Sequence, residues 1–219
     1  MTRKIKLLAA ILLFAGGWII GSNNNTAPVI TSSMGGASYA GGYQPDQQAA
    51  AMQSEGAVAL RTEQGQVHIV ENGDSIQAAV EAAQPGDTIQ VMPGTYSETV
   101  YIDKDDIHLL GVIQEGKRAT MDGLGKLNDA ILYSGNNVVI ENFRITKYKG
   151  NGIMGQAGNN FEIRNNVIVD TGIYGIFPQL GTNGLVEHNV VSGIEDAAIY
   201  IGMSDNIHVA YNEVFDSVA

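Results

Sequence analysis

The sequence repeats at a fixed interval over its C-terminal part. Four apolar segments each begin with an asparagine, and successive asparagines are 23 residues apart: Asn137, Asn160, Asn183 and Asn206. Aliphatic residues recur at the same interval further along each segment, as at Ile140, Ile163, Val186 and Val209. A fixed period of this length is typical of a solenoid, because one repeat cannot bury its apolar face without its neighbours.

The residue types within the repeat predict strands rather than helices. Valine, isoleucine, asparagine and glycine dominate, and the apolar residues alternate over short runs as they do in β-strands. Asparagine and glycine also favour tight corners, because both tolerate a left-handed backbone. We therefore predict an all-β fold, a right-handed parallel β-helix with about 23 residues per coil, whose strict repeats begin at residue 137.

The stacking of successive coils predicts two ladders of side chains. Residues 23 positions apart should lie directly above one another, at the strand separation of ~4.8 Å. An aliphatic ladder is then expected inside the coil at Ile153, Ile176 and Ile199. A second ladder is expected to stack side-chain amides at a corner, at Asn166, Asn189 and Asn212.

The N-terminal part of the chain divides into two segments before the β-helix. Residues 1–21 carry three basic side chains followed by an apolar run that is shorter than the ~20 residues of a membrane span. This pattern predicts a signal peptide or, if it is not cleaved, a signal-anchor in the inner membrane. Residues 22–66 are rich in Gly, Ser, Asn and Gln and are predicted to form a flexible spacer. Residues 67–219 form the predicted β-helix domain.

A capping helix is predicted at one end of the solenoid and an open end at the other. In "GDSIQAAVEAAQPGD", Asp74 or Ser75 can cap a helix that Pro85 and Gly86 end, so a short capping helix is predicted near residues 75–84. At the other end, the sequence stops within a repeat at Ala219. We therefore expect further C-terminal coils to be missing or, alternatively, an uncapped strand edge that self-associates with another chain.

Composition excludes several classes of function. The chain has no cysteine, so it has neither disulfides nor thiolate metal sites, and its four histidines fall in different columns of the repeat. No metal site is predicted. The net charge of −11 argues against a nucleic-acid partner, whose phosphates need a Lys/Arg surface. The export signal predicts an extracytoplasmic location, periplasmic or secreted, with membrane contact only through the N-terminal segment.

Two stretches resemble a known group of proteins. "SIQAAVEAAQPGDTIQVMPGTY" is similar to the capping helix and first strand of exported right-handed parallel β-helix repeat proteins of the pectate-lyase-like superfamily. "YGIFPQLGTNGLVEHNVVSGIEDAAIYIGMSDNIHVAYN" resembles a bacterial subgroup of unassigned function. The resemblance covers residues 67–219 and implies the fold, but the superfamily includes lyases, hydrolases, epimerases and non-catalytic members. No diagnostic motif of a lyase, polygalacturonase or mannuronan epimerase is present, including the Asp-Pro-His-Asp run of the epimerases.

The least regular corner of the repeat carries the candidate site. Its charged residues are candidate catalytic groups: Lys147, Lys149, Asp170, Glu195 and Asp196. The lysines could neutralise a uronate carboxylate and the acids could bind Ca²⁺ in a lyase, whereas paired carboxylates could serve a hydrolase. Nearby aromatic side chains are predicted to bind a ligand, since aromatic rings suit the apolar faces of sugars: Tyr148, Tyr174, Phe177 and Tyr200.

Three functions stay open at this point. The first is binding of a polysaccharide or another cell-envelope component, without a cofactor. The second is a polysaccharide lyase or epimerase acting on uronate-containing glycans, for which Ca²⁺ is a candidate cofactor. The third is a non-catalytic structural scaffold.

Overall fold

The computed structural model describes residues 65–217. The predicted signal segment and nearly all of the predicted spacer lie outside the described residues. Within the described part, no helix has both the length and the apolar character needed to cross a membrane.

Three parallel sheets run along the described part of the chain, and beyond the first two strands each strand lies in a different sheet from the one before it. The first sheet has seven strands: β1 (Val67–Val70), β2 (Thr88–Val91), β5 (His108–Gly111), β8 (Val139–Glu141), β11 (Glu162–Arg164), β14 (Leu185–Glu187) and β16 (His208–Ala210). The second sheet has six: β3 (Gly94–Tyr96), β6 (Ala119–Asp122), β9 (Arg144–Thr146), β12 (Val167–Val169), β15 (Val190–Ser192) and β17 (Glu213–Phe215). The third has four: β4 (Val100–Ile102), β7 (Ile131–Tyr133), β10 (Ile153–Gly155) and β13 (Ile176–Phe177).

Every pairing between these strands is parallel and joins one coil to the next, which confirms the predicted all-β solenoid. Ile153 pairs with Ile176, and an isolated bridge continues the column from Ile176 to Ile199. The first two side chains are fully buried and the third is partly buried, so these isoleucines form a single internal column. Inward aliphatic and aromatic side chains of all three sheets fill the space inside the coil.

A short helix, α1 (Ile76–Ala82), closes the N-terminal end of the coil. Ser75 is its N-cap, and the Ser75 side chain accepts a hydrogen bond from the Ala78 amide. Ile76 and Val80 face the core, whereas Lys104 donates to the carbonyl oxygens at the C-terminal end of α1. The helix lies within the range that the sequence predicted, and it covers the apolar side chains of the first coil.

The corner between the first and second sheets is held by stacked asparagines. Asn166 and Asn189 are fully buried, and the Asn166 amide hydrogen donates to the Asn189 Oδ1 at 3.0 Å. The Asn189 amide hydrogen donates to Asn212 Oδ1 at the same distance, so the contact repeats one coil later. The ladder begins one coil earlier, where the amide of Phe143 donates to Asn166 Oδ1. Each asparagine therefore satisfies a backbone amide of the preceding coil that the sheets leave unpaired.

The last described coil leaves its ladder residues open to solvent. Val209 and Val214 are 44% and 48% exposed, although the equivalent Val186 and Val191 one coil earlier are fully buried. No described strand covers β16 or β17 on this side. Self-association through this edge stays a prediction.

The asparagine ladder generates a first prediction, for the substitution Asn189→Ala. It removes the acceptor of the Asn166 amide and the donor to the Ile163 carbonyl, both of which are buried. We expect the free energy of unfolding to fall by about 3 kcal/mol, because each buried polar group left unpaired costs roughly 1–3 kcal/mol. Asn128→Ala, at an exposed asparagine, is the control and should change stability by less than about 0.5 kcal/mol in the same urea titration. Equal losses for the two variants would contradict the structural role of the ladder.

The Tyr133 hydroxyl generates a second prediction. It is buried without a hydrogen-bond partner, and burial raises the pKa of this phenol. Tyr133→Phe removes the unpaired hydroxyl and keeps the ring that packs against Phe161 at 5.3 Å between centroids. We expect the variant to gain about 1 kcal/mol in unfolding free energy. A loss of stability by calorimetry would instead mean that the hydroxyl has a partner in solution, such as a buried water.

Candidate ligand-binding site

The candidate site begins at a corner where the backbone is left-handed in successive coils. Lys147, Asp170 and Gly193 occupy equivalent positions, with φ angles of 56°, 57° and 64°. The Lys147 amide donates to the Asp170 carbonyl at 2.9 Å, and the Asp170 amide donates to the Ser192 carbonyl at 3.1 Å. These bonds hold the corner rigidly enough to place the Lys147 and Asp170 side chains on the outside, where both are exposed.

An open groove of about 360 Å³ lies over this corner. It is lined by four of the five predicted catalytic residues, by Tyr148 and by three glycines: Lys147, Lys149, Asp170, Glu195, Tyr148, Gly125, Gly172 and Gly193. The structure therefore brings two lysines and two carboxylates to one surface. We call this surface the charged groove.

Glycine at two positions keeps the floor of the charged groove low. Gly125 and Gly193 both have positive φ, where a side chain is disfavoured. A Cβ atom at Gly193 would lie 2.6 Å from Asp170 Oδ1, so this glycine makes room for the carboxylate. Gly125 and Gly193 therefore present backbone rather than side chains to the groove. This feature was not predicted from the sequence.

One of the two lysines is already engaged. Lys147 Nζ donates to Asp122 Oδ2 at 3.2 Å, and Asp122 also accepts from the Leu124 amide at 2.9 Å. The Leu124 amide first, and the Lys147 ammonium second, hold the pKa of the Asp122 carboxyl below its usual value against the opposing effect of burial. Lys149 is exposed and forms no ion pair with a residue of the described range 65–217.

Three aromatic rings cluster beyond the charged groove. Tyr174 lies 4.8 Å from Phe177 and 5.0 Å from Tyr200, and Phe177 lies 5.1 Å from Tyr200, measured between ring centroids. Phe177 and Tyr200 are stacked, with 28° between their planes. Tyr200 is 45% exposed, and the other two rings are partly exposed. We call these three residues the aromatic cluster.

The fifth predicted catalytic residue, Asp196, lies beside the aromatic cluster. Burial, and then the negative charge of Asp196, raise the pKa of the Tyr174 hydroxyl. Asp196 does not line the charged groove, where Asp170 and Glu195 are found instead. The two acids that the structure places in one groove are therefore Asp170 and Glu195.

Tyr148, predicted to bind a ligand, is largely buried although it lines the charged groove. Its side chain is 2% exposed, and its hydroxyl donates to the Glu98 carbonyl at 2.7 Å inside the coil. Burial raises the pKa of this phenol. Thr171 and Ile194, which occupy the same position in the next coils, are also buried. The apolar Ile194 was the sequence signal that this column faces the core.

Two side chains upstream of the strict repeats also face the surface of the aromatic cluster and were not predicted from the sequence. Tyr101 pairs with Leu132, and Leu132 pairs with Met154, so both belong to the column of Met154, Phe177 and Tyr200. Equivalent positions are 31 residues apart between Asp105 and Asn136 but 22 apart between Asp129 and Asn151. A search at one fixed interval cannot align these coils.

No group of three or more acidic, histidine or cysteine side chains within residues 65–217 is arranged to hold a metal ion. The carboxylates of the charged groove face two lysines, a donor set that does not by itself favour a divalent cation. Ca²⁺ binding by these acids stays a prediction.

Comparison with known proteins gives a family and a likeness to solved structures. A family model described as "right handed beta helix region" matches residues 64–215. No curated protein matches the chain. The chain is similar to the solved A-module of mannuronan C-5 epimerase AlgE4 from Azotobacter vinelandii, at 13% sequence identity and a TM-score of 0.39. The match covers 70% of this chain and 55% of that module, so the chain spans about half of the module's length.

Proposed function

The chain belongs to the family of right-handed β-helix proteins, and from this premise we propose that it binds a polysaccharide of the cell envelope or its surroundings. The observation that carries the proposal is the aromatic cluster of Tyr174, Phe177 and Tyr200, whose rings pack together at 4.8 to 5.1 Å while remaining open to solvent. Buried apolar rings need no ligand, but a partly exposed group of three marks an interaction surface.

The chemistry of the cluster suits a sugar ring. A pyranose presents an apolar C–H face that packs against an aromatic ring, and hydroxyl groups at its edge that need hydrogen-bond partners. The Tyr174 and Tyr200 hydroxyls and the Asp196 carboxylate supply such partners beside the rings. The charged groove adds further carboxylate oxygens and the Lys149 ammonium close to the same corner.

The two alternative functions stay predictions. A uronate lyase or epimerase draws support from the two lysines and two carboxylates of the charged groove, although the engagement of Lys147 by Asp122 removes one free cation. Incubation with alginate and pectate tests for a lyase, because elimination creates an unsaturated sugar that absorbs ultraviolet light. A scaffold function makes no use of either surface.

The aromatic cluster generates a third prediction, for the substitution Tyr200→Ala. We expect the affinity for a bound polysaccharide to fall about tenfold, because stacking on one aromatic ring is worth roughly 1 kcal/mol beyond its buried area. Affinity electrophoresis against a panel of neutral and uronate-containing soluble polysaccharides measures this change.

The matched control is Tyr211→Ala. Tyr211 is 77% exposed and stacks on His188 at another corner of the coil, so its loss should leave polysaccharide affinity unchanged. Equal effects of the two substitutions would contradict the assignment of the site. Failure of the unaltered protein to bind any polysaccharide of the panel would contradict the proposed function itself.

A further inference from the structure

The outward face of the third sheet carries one large uncharged side chain in every coil. Strand registers place these residues in one column, which continues to Tyr200 beside the bridge between Ile176 and Ile199. We call this column the apolar strip: Tyr101, Leu132, Met154, Phe177 and Tyr200. Each member is partly exposed, Tyr101 and Tyr200 most of all, and the strip includes two rings of the aromatic cluster.

The strip has a regular spacing set by the backbone. Successive members lie one strand separation apart, so the strip extends over about 19 Å from Tyr101 to Tyr200 at ~4.8 Å per coil. The ring centroids of Phe177 and Tyr200 are 5.1 Å apart, close to that separation. A 1,4-linked pyranose chain advances by a comparable distance per sugar, so each sugar can meet one member of the strip.

The columns beside the strip carry almost no charge. Residues two positions later lie just past the strand ends, and all except Gly202 are at least partly exposed: Asp103, Ser134, Gln156, Gln179 and Gly202. Residues two positions earlier are small, and all except Thr99 are buried, so this edge of the strip offers few side chains to a ligand: Thr99, Ala130, Gly152, Gly175 and Ala198. These flanking columns and the strip contain no lysine or arginine, and their one charged residue is the acidic Asp103.

We propose that the apolar strip binds an uncharged polysaccharide chain that lies parallel to the axis of the solenoid, with about one sugar per coil. This inference rests on the proposed function and adds the class of polysaccharide, its direction and its length. The rings and aliphatic side chains pack against the sugar faces, and the serine and glutamine column hydrogen-bonds the hydroxyls along one edge.

Charge complementarity excludes a polyuronate from this face. Each uronate sugar carries a carboxylate, and a chain on the strip would place these charges ~4.8 Å apart over a surface without a cation. Asp103 and the nearby Asp196 would repel them. The lysines of the charged groove lie at the neighbouring corner, and Lys147 is already paired with Asp122.

The experiment measures the affinity of the full chain for oligosaccharides of increasing length by isothermal titration calorimetry. The probes are cello-oligosaccharides and N-acetylchito-oligosaccharides from disaccharide to hexasaccharide, with oligogalacturonates of equal length as the charged comparison. We expect affinity for a neutral series to rise with length up to the pentasaccharide or hexasaccharide. The oligogalacturonates should bind at least tenfold more weakly than neutral chains of the same length.

Two substitutions at opposite ends of the strip test its direction. Tyr101→Ala should lower affinity for the hexasaccharide about tenfold and leave the disaccharide unchanged, because short chains bind at the aromatic cluster. Tyr200→Ala should weaken both. Both tyrosines are substantially exposed, so the variants should fold, which circular dichroism checks. Met154→Lys adds a cation to the middle of the strip and should weaken the neutral hexasaccharide while strengthening the oligogalacturonate.

The outcomes separate this inference from the proposed function. Tighter binding of oligogalacturonates, or a disaccharide bound as tightly as a hexasaccharide, would overturn the inference and leave polysaccharide binding intact. No binding of any glycan would overturn both. A dimer in sedimentation velocity that Tyr200→Ala dissociates would assign the strip to a second copy of the chain. Binding of a neutral oligosaccharide that appears only after residues 1–64 are removed by proteolysis would assign the strip to that segment. Either result overturns the inference.

Discussion

The structure depends on parallel backbone pairing between coils. Each strand satisfies its amide and carbonyl groups only against the strand one coil before and the strand one coil after, so a coil has no stable backbone arrangement alone. This pairing fixes the register, and the register places side chains of equivalent residues directly above one another. A single change of register would move every inward side chain to the outside. The asparagine ladder at Asn166 and Asn189 applies the same pairing to a corner, where side-chain amides replace strand hydrogen bonds.

The corners decide what the outside of the solenoid can do. Inward columns are mostly apolar, whereas a left-handed corner residue directs its side chain to solvent and can differ in charge from coil to coil. Lys147, Asp170 and Gly193 occupy one such column with nearly the same backbone angle. This column holds a lysine, then an acid, then a glycine without a side chain. The groove beside it carries both positive and negative charge. The backbone is uniform there, and the chemistry is not.

The strict repeat was enough to predict the solenoid, its internal isoleucine column and the asparagine stack, because all three follow from residues at one constant interval. The prediction that Tyr148 binds a ligand did not allow for its burial next to the left-handed residue Lys147. A left-handed corner residue interrupts the alternation of inward and outward side chains. The buried Ile194, in the same column as Tyr148, indicates that this column faces the core. Tyr101 and Leu132 were missed for a different reason, since the coil lengths upstream of residue 137 vary. The groove glycines could not be predicted, because their effect depends on side chains of other coils.

Stacking also limits which surfaces a solenoid can extend over many coils. A column of like charges would place them ~4.8 Å apart, where neighbouring charges destabilise the sheet. On the first sheet, Arg164 lies between Glu141 and Glu187, and it pairs with Glu141 at 2.8 Å. Uncharged rings and aliphatic side chains do not repel one another in this way. Each of them gains van der Waals contacts with the stacked neighbour in the next coil. A long and uniform outward column is therefore most stable when it is uncharged, as the apolar strip is. The stacking that builds the coil thus accounts for an outward column without charge on this face.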